Sequence, residues 1–302
     1  MKKKLSTKIS IIVAALALVS IAVIIAIAAL MSSKYVSEGS DGEFDAYSQQ
    51  NANQIQSMLL EAANAARGLR SSVTNAYKDT NTASEKIFKS AVYEEKLTAK
   101  CDAIESTTIN TGWNSVSSSE SLIGLGVFFE PYAFDENIEK YAIYVDEPNA
   151  QSKTVSMYTD DYISAPYYKD AVESNQTVIT DPYLFGDIYM VSVAYPISVN
   201  DEVVGAVIAD ISMDSFSAIR STDADYKSMY ASVIKDNGIV MYNSTNDAAI
   251  GKSFETLYTD TSEYTAINQK FDEGKAFKIE ATNLDGQKEV NYFEPVNLGT
   301  TT

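Results

Sequence analysis

The chain begins with its longest apolar stretch. The 23 residues Ile9–Met31 are interrupted only by Ser10 and Ser20, and a helix needs roughly 20 residues to cross the hydrocarbon core of a bilayer. Lysines precede the run and acidic residues follow it, which favours a cytoplasmic N-terminus. The pattern predicts a basic cytoplasmic tail at 1–8, a transmembrane helix at 9–31 and an extracytoplasmic remainder.

The same stretch has a second interpretation, as a cleaved signal peptide. The triplet Ala26-Ile27-Ala28 resembles an A-x-A cleavage site, although the apolar region of a signal peptide spans only about 7–15 residues. The sequence favours the uncleaved anchor and leaves cleavage open. No Cys follows the run, which excludes a lipoprotein anchor.

The next segment carries a heptad pattern that predicts a long helix with one packing stripe. Intervals of three and four residues alternate along Ala52, Ile55, Leu59, Ala62, Ala66, Leu69, Val73 and Ala76. Ser40-Asp41-Gly42-Glu43 has the spacing of a capping box and would begin this helix. The small residues allow close helix packing, either in a homodimer or against the rest of the same chain.

A second capping-box pattern, Thr82-Ala83-Ser84-Glu85, predicts another helix. Leu97, Cys101, Ile104 and Thr108 would share one side of it, so Cys101 is interpreted as a small core residue rather than a reactive thiol. Residues 32–110 would then form a helical stalk.

After Trp113 the hydrophobic period changes from helical to strand-like. Strands are predicted at 122–129, 141–145, 178–179, 188–199, 203–211, 230–235, 239–243, 276–282 and 288–293. Pro166 begins a short helix, Asn200-Asp201 and Asp236-Asn237-Gly238 are hairpin turns, and a last helix spans about 263–271. The fold class is therefore α+β, with two successive modules of antiparallel sheet.

These elements set the predicted domain boundaries. A membrane-distal module covers 111–212, a connector helix 213–228, and an incomplete membrane-proximal module 229–302. The sequence stops at Thr302 without a strand to close the last sheet, so the final sheet edge would be open and the chain looks truncated.

Composition and charge remove several classes of function. The formal charge is −18, there is no His, and there is one Cys. An acidic chain is a poor match for nucleic acid, and without His the commonest general base and metal ligand are missing. The sequence contains neither a G-x-S-x-G elbow nor a P-loop. Asp223-x-Asp225 lacks EF-hand spacing, so we expect no metal site there. Together these observations lead us to expect no enzyme activity, cofactor or metal.

Four sequence stretches resemble the double Cache (dCache) sensor domain of bacterial methyl-accepting chemotaxis proteins. They are Tyr167-Tyr168-Lys169-Asp170-Ala171, Ile179-Thr180-Asp181-Pro182-Tyr183, Ala194-Tyr195-Pro196-Ile197 and Val204–Ile211. A further resemblance, to the membrane-proximal module of the same family, lies in Val233–Gly238 together with Ile250-Gly251-Lys252. The resemblance implies two PAS-like modules, a small-molecule ligand in the distal one, a homodimer, and cytoplasmic signalling partners reached through a missing C-terminal region.

The resemblance implies chemotaxis as the output. A membrane histidine kinase or diguanylate cyclase, or an exported solute-binding module without signalling, are the alternatives. Members that bind amino acids carry an Arg and a Trp where this chain has Ala165 and Tyr167, and an Asp where it has Phe185. Only Tyr183 and Asp210 match that set, which argues against a standard α-amino acid as ligand.

The candidate ligand-binding residues follow from both lines of reasoning. Asp210 closes the apolar strand 203–211, where a buried carboxylate needs a partner such as a ligand ammonium group, or else caps the connector. Aromatic residues with a polar tip crowd nearby and would hold a cation or fill the core: Tyr158, Tyr162, Tyr167, Tyr168 and Tyr183. Further acids, which would add negative potential or lie solvated in loops, are Asp160, Asp161, Asp181 and Asp187.

Overall fold

The computed structural model describes residues 23–30, 38–78, 86–259 and 261–297. The helices are α1 (Glu38–Lys78), α2 (Ala99–Ser118), α3 (Glu147–Ser152), α4 (Pro166–Ser174) and α5 (Thr261–Phe271). The strands are β1 (Val23–Leu30), β2 (Phe88–Lys89), β3 (Lys96–Leu97), β4 (Leu122–Phe129), β5 (Ala142–Asp146), β6 (Val178–Ile179), β7 (Tyr183–Phe185), β8 (Ile188–Val199), β9 (Glu202–Ser212), β10 (Tyr230–Ile234), β11 (Val240–Asn243), β12 (Phe277–Thr282) and β13 (Lys288–Val296).

The described residues divide into two compact units. The Asp210 unit comprises residues 59–180 and 190–212, and the Glu289 unit comprises the described residues up to 58, residues 181–189 and those from 213 onward. Each unit contains an antiparallel sheet with helices packed on it, which confirms the α+β class and the antiparallel sheets predicted from the sequence.

The long helix predicted from the heptad pattern is α1. Its stripe is buried from Ala52 to Val73, as the spacing requires, and Ala76 is half-buried. The predicted capping box is wrong, because the helix begins at Glu38 and Ser40–Glu43 lie within it. The Glu43 carboxylate instead accepts a hydrogen bond from the Tyr47 hydroxyl one turn later.

The helix predicted from the second capping box begins later than expected. The box itself, residues 82–85, lies outside the described residues, and α2 begins at Ala99 after an extended segment that includes Leu97. Thr98 is its N-cap, with the hydroxyl accepting from the Cys101 amide at 3.3 Å. Cys101 is fully buried and its thiol donates to the Phe134 carbonyl at 3.2 Å, so the prediction of a core cysteine is confirmed. Burial raises the pKa of that thiol.

In the Asp210 unit the strands lie in the order β5-β4-β9-β8-β6, all antiparallel. The turn between β8 and β9 was predicted at Asn200-Asp201 and is found there, with φ of 52° and 69° at the two residues. Such angles match the twist of two-residue hairpins, and Asn and Asp tolerate them better than most residues. This hairpin brings Ser192 of β8 opposite Asp210 of β9.

The two faces of this sheet have different neighbours. Helix α2 packs on β4 and β5, where a Cβ at Gly112 would lie 2.7 Å from Val145, so glycine permits the close approach. The opposite face carries an apolar cluster around Phe128 and Ile208, which α4 and the preceding segment cover through Tyr162, Tyr168 and Ala171. Asp210 is two residues from Ile208 along β9 and therefore lies on the same, second face.

The sheet of the Glu289 unit has the order β11-β10-β1-β13-β12. Its central strand β1 comes from the run predicted as a transmembrane helix, and it pairs antiparallel with both β10 and β13. For Val23–Leu30 the helix prediction is therefore wrong, whereas residues 9–22 and 31 lie outside the described residues. A strand that is buried on both faces also forms a continuous apolar run, and hydrophobic pattern alone does not separate such a strand from a helix.

Two further predictions for this unit need correction. Strand β13 has a partner on each side, β1 and β12, so the sheet edge expected to be open is filled. The predicted connector helix is limited to a short 3₁₀ segment, Met213–Ala218. Helix α5 and the two hairpins were predicted correctly, and Phe254, Ile267, Phe271 and Phe293 form the core beneath α5. No helix in the described ranges combines the length and the apolar character needed to cross a membrane.

Candidate functional site: a buried carboxylate among tyrosines

Asp210 is held inside the Asp210 unit by two side-chain hydroxyls. It is 5% exposed, and its Oδ2 accepts a hydrogen bond of 2.6 Å from the Tyr144 hydroxyl. The Ser192 hydroxyl donates to Oδ1. Ser192 belongs to the neighbouring strand β8, and Tyr144 belongs to β5, which lies beyond β4. Neither donor is the backbone of Met213–Ala218. The alternative role of Asp210 as a helix cap is therefore not what the structure shows.

The register of β4 explains how Tyr144 reaches Asp210. Gly126 lies opposite Tyr144 of β5, and Gly124 lies opposite Asp210 of β9. With no side chains at these two positions, the Tyr144 ring lies across β4. A Cβ added to Gly124 would come within 1.7 Å of the Tyr144 hydroxyl oxygen. The Gly-x-Gly pair is therefore what admits the hydrogen bond between Tyr144 and Asp210.

The electrostatics of Asp210 favour a positively charged partner. Desolvation raises the pKa of its carboxyl to about 6, and the hydrogen bonds from Ser192 and Tyr144 oppose that rise. In the described part of the chain no Lys or Arg forms an ion pair with this carboxylate. Burying an ionised carboxylate without a countercharge is costly, so an incoming cation would gain from pairing with it.

Two predicted tyrosines lie next to each other in this region. The hydroxyls of Tyr158 and Tyr167 are 2.9 Å apart, and the Phe128 ring lies 5.0 Å and 6.2 Å from the two tyrosine rings. The Tyr144 and Tyr158 rings are 5.9 Å apart. Burial raises the pKa of both Tyr158 and Tyr167, and the charge of Asp210 contributes to each rise. Asp210, Tyr144, Tyr158 and Tyr167 thus combine one carboxylate with aromatic faces.

The other three predicted tyrosines have different surroundings. Tyr162 donates to the Phe129 carbonyl at 2.7 Å and Tyr168 to the Glu130 carboxylate at 2.6 Å, so both hydroxyls fasten the covering segments to the end of β4. Both residues are buried. Tyr183 lies half-buried on β7, in the segment assigned to the Glu289 unit, and its role in ligand binding stays a prediction.

The further acids singled out in the sequence are exposed. Asp161 pairs with Lys140 at 3.3 Å and Asp181 with Lys235 at 2.7 Å, while Asp160 and Asp187 are also at the surface. The lysine partners lower the pKa of Asp161 and Asp181 against the opposing effect of desolvation. Exposed ion pairs of this kind contribute little to stability or to the electrostatic potential at a bound ligand.

The sequence did not reveal Tyr144 or Ser192. The signal for Tyr144 was present as two glycines in alternate positions of a strand, which marks a close approach of another group. The signal for Ser192 was a lone polar residue in the apolar run of β8, directly across the hairpin from Asp210. Both needed the strand register, which hydrophobic alternation alone does not specify.

The segment that precedes Tyr158 is tied to α2 by the single tryptophan. The Trp113 indole N–H donates to the Thr154 carbonyl at 2.6 Å, and the Lys153 ammonium lies 5.7 Å from the indole ring. A cation near an aromatic face is weakly attracted to it. The start of the covering segment is therefore fixed at a point on α2.

The raised pKa of Asp210 predicts a specific pH dependence of stability. Below the ordinary aspartate pKa of 3.8 the Asp210 carboxyl is protonated in both the folded and the unfolded state. As the pH rises, the carboxyl ionises first in the unfolded state, so the free energy of unfolding decreases until the pH exceeds about 6. Relative to Asp210→Asn, the wild-type free energy of unfolding should fall across this window by about 3 kcal/mol. Chemical denaturation of both proteins over this range measures the difference, with Asp170→Asn, an exposed acid on α4, as control. Parallel pH curves for wild type and Asp210→Asn would contradict the prediction.

Comparison with known proteins finds a family model that matches the segment carrying this cluster. Residues 110–218 match the model of the family described as methyl-accepting chemotaxis protein-like, first PDC sensor domain. That segment contains Asp210, Ser192, Tyr144, Tyr158 and Tyr167. A search of curated proteins finds no match.

Solved structures with the same fold include an extracellular domain of a putative histidine kinase and sensory or ligand-binding domains of chemoreceptors. The extracellular domain of the putative histidine kinase mmHK1S-Z2 superposes with a TM-score of 0.59 at 18% identity, covering 85% of this chain and 98% of that one. The periplasmic sensory domain of the Campylobacter jejuni chemoreceptor Tlp1 gives 0.61 at 14% identity, with 86% and 96% covered. The ligand-binding domain of the C. jejuni chemoreceptor Tlp3 in complex with L-norvaline gives 0.51 at 10% identity, with 85% and 91% covered.

At these identities the structural likeness shows a shared fold. The family match over residues 110–218 and the fold shared over most of the chain confirm the resemblance to the Cache-type sensor regions of methyl-accepting chemotaxis proteins.

Proposed function

We propose that this chain is the extracytoplasmic sensing region of a membrane receptor, and that its Asp210 unit binds a small amine-bearing solute. The observation that carries the proposal is Asp210, a desolvated carboxylate with two hydroxyl donors and no ion pair among the described residues. Tyr158 and Tyr167 lie beside it and offer aromatic faces to a cation.

The chemistry of the cluster selects the ligand class. A carboxylate oxygen has two lone pairs, so each oxygen of Asp210 retains an acceptor site after its bond from Ser192 or Tyr144. An ammonium group supplies both the missing charge and the donors. The Tlp3 structures contain L-norvaline and L-valine, which carry such a group, but Ala165 and Phe185 replace the residues expected for an α-amino acid. An amine without the α-carboxylate fits this chain better.

For the output we propose chemotaxis, because the family model that matches is of the chemotaxis-protein kind. The likeness to an extracellular domain of a putative histidine kinase supports a kinase as the second candidate. Signalling requires that the ligand bind one of two receptor states more tightly, since only the difference in affinity shifts their populations. Membrane attachment and homodimer formation stay predictions from the sequence.

A thermal-shift screen of the chain tests the ligand class. The panel contains amines, amino-acid derivatives, organic acids, purines and sugars, each at the same ionic strength. We expect the stabilising compounds to carry an ammonium group, and the stabilisation to disappear when that group is acetylated, because a neutral amide does not replace the countercharge. Stabilisation by neutral or anionic compounds alone would overturn the ligand class.

A hybrid receptor tests the output. The chain is joined to the second spanning helix and signalling region of a chemoreceptor, and swimming behaviour is recorded in a gradient of the compound found in the screen. We expect a response that the Asp210→Asn hybrid lacks. A compound that binds the chain but gives no response would favour the exported binding module instead.

A further inference from the structure

The Glu289 unit contains a cavity of about 400 Å³ far along the chain from Asp210. It opens between the end of β11 and the turn that joins β12 to β13. The residues that line it and matter here are Tyr230, Asn243, Leu257, Asn283, Asp285 and Glu289. Within the described residues its lining includes two carboxylates and no Lys or Arg, so its potential is negative.

The cavity has a buried carboxylate, that of Glu289, in its lining. Its side chain is 1% exposed, yet its carboxylate accepts from the Tyr230 hydroxyl at 2.9 Å and from the Asn283 amide nitrogen at 3.3 Å. No Lys or Arg forms an ion pair with Glu289 in the part of the chain that the structure describes. Desolvation raises the pKa of the carboxyl, and its hydrogen bonds oppose the rise.

A second buried acceptor lies beside Glu289. Asn291 is two residues along β13, on the same face of the strand, and is 0% exposed. Its amide nitrogen donates to Glu289 at 3.4 Å, but its Oδ1 has no hydrogen-bond partner among the described residues. An unpaired buried acceptor costs free energy, and such groups are uncommon in folded proteins. Glu289, which lines the cavity, thus has hydrogen-bond donors but no countercharge among the described residues, and the unpaired acceptor of Asn291 lies beside it on β13.

Two asparagines of the lining already have hydrogen-bond partners. The Asn243 amide nitrogen donates to Ser232 at 2.8 Å, while its Oδ1 accepts from the Thr245 amide at 3.0 Å. The Asn283 Oδ1 accepts from the amides of Asp285 and Gln287 and so fixes the turn at the mouth of the cavity. Leu257 adds an apolar wall. The lining therefore offers fixed geometry, one apolar side and the carboxylate of Glu289, which has no ion pair among the described residues.

We propose that this cavity is a second ligand site, separate from Asp210, and that it takes a small aliphatic amine with its ammonium group against Glu289 and its methylene chain along Leu257. A volume of about 400 Å³ accommodates a molecule of a few heavy atoms with its water. The site would let one receptor respond to two solutes, or to one solute over two concentration ranges.

Isothermal titration of the chain with 1,4-diaminobutane tests the proposal, with 1,4-butanediol as the uncharged probe of the same length. The Asp210→Asn variant is used throughout, so that binding at the Asp210 unit does not contribute. We expect binding of the diamine with one site per chain, none of the diol, and at least tenfold weaker binding in Asp210→Asn/Glu289→Gln. The matched control is Glu280→Gln in the same background, which removes an exposed acid of β12 in the same unit.

Two results would overturn the second site. One is failure of the Asp210→Asn chain to bind the diamine, and the other is equal loss of affinity in the Glu280→Gln control, which would show non-specific attraction by an acidic protein. If Glu289→Gln does not fold, hydrogen exchange of the Asp210→Asn chain decides. The diamine should protect amides in 230–246 and 283–291, and protection confined to other segments would reject the site. Neither outcome depends on whether Asp210 binds a ligand.

Discussion

The Asp210→Asn variant is expected to lose the ligand found in the screen and, without ligand, to unfold at a higher temperature than the wild-type chain above pH 6. Desolvation raises the pKa of Asp210 by about two units, so ionisation of the buried carboxyl costs the folded state about 3 kcal/mol. Asparagine has nearly the same shape and keeps hydrogen-bonding atoms for Ser192 and Tyr144 without that cost.

The loss of binding should be large. Removing one partner of a buried charge pair costs about 3–5 kcal/mol, which corresponds to at least about a hundredfold in affinity. Calorimetric titration gives the affinity and thermal unfolding gives the stability of the same samples. Asp170→Asn, which removes an exposed acid from α4, should change neither. A variant that keeps wild-type affinity would remove Asp210 from the ligand site, whatever its effect on stability.

The second large effect is expected for Gly124→Ala. The added methyl group would lie 1.7 Å from the Tyr144 hydroxyl oxygen, so the ring must leave its place over β4 and the hydrogen bond to Asp210 breaks. Overpacking of this kind costs about 1–3 kcal/mol. Urea denaturation measures the loss, and ligand affinity should fall with it. Gly68→Ala, at an exposed helical position with no atom within 4 Å of the new methyl, should instead stabilise α1 by about 1 kcal/mol.

A double-mutant cycle separates this mechanism from general damage to the sheet. If the clash with the Tyr144 ring is the cause, Tyr144→Ala should cost less in the Gly124→Ala background than in the wild-type chain. Additive losses would show that Gly124→Ala acts through the backbone of β4 instead.

Local sequence patterns were enough to predict the elements that depend on residues close together in the sequence. The stripe of α1 follows from a helical period that needs no partner, and the β8–β9 hairpin follows from Asn200-Asp201 between two apolar runs. Pro166 marked the first residue of α4 because its fixed φ suits the first turn.

The error in the predicted transmembrane helix arises because an apolar run does not specify whether lipid or neighbouring strands will surround it. Val23–Leu30 are as suitable for the centre of a sheet as for a bilayer, and only the places of β10 and β13 on either side distinguish the two. Capping-box letters at Ser40–Glu43 also occur within a helix, where the same side chains find other partners.

For the candidate site, the sequence was enough to predict the charged residue, Asp210, but not the residues that form hydrogen bonds with it. Asp210 was predicted from its place at the end of an apolar strand, and Tyr158 and Tyr167 from their crowding. Tyr144 contacts Asp210 from β5 across the intervening β4, and Ser192 contacts it from the neighbouring strand β8, at separations of 66 and 18 residues. Contacts of that kind depend on register, and a shift by one residue would turn each side chain to the opposite face.

The contact between Trp113 and Thr154 gives the Asp210 unit an optical reporter. Because the chain has one tryptophan, its indole fluorescence arises from a single place, on α2 next to the segment that carries Tyr158. The nearby Lys153 charge makes the emission sensitive to small displacements of that segment. Stopped-flow fluorescence of the unlabelled chain would therefore report a movement of this segment, and so tests whether a ligand causes one.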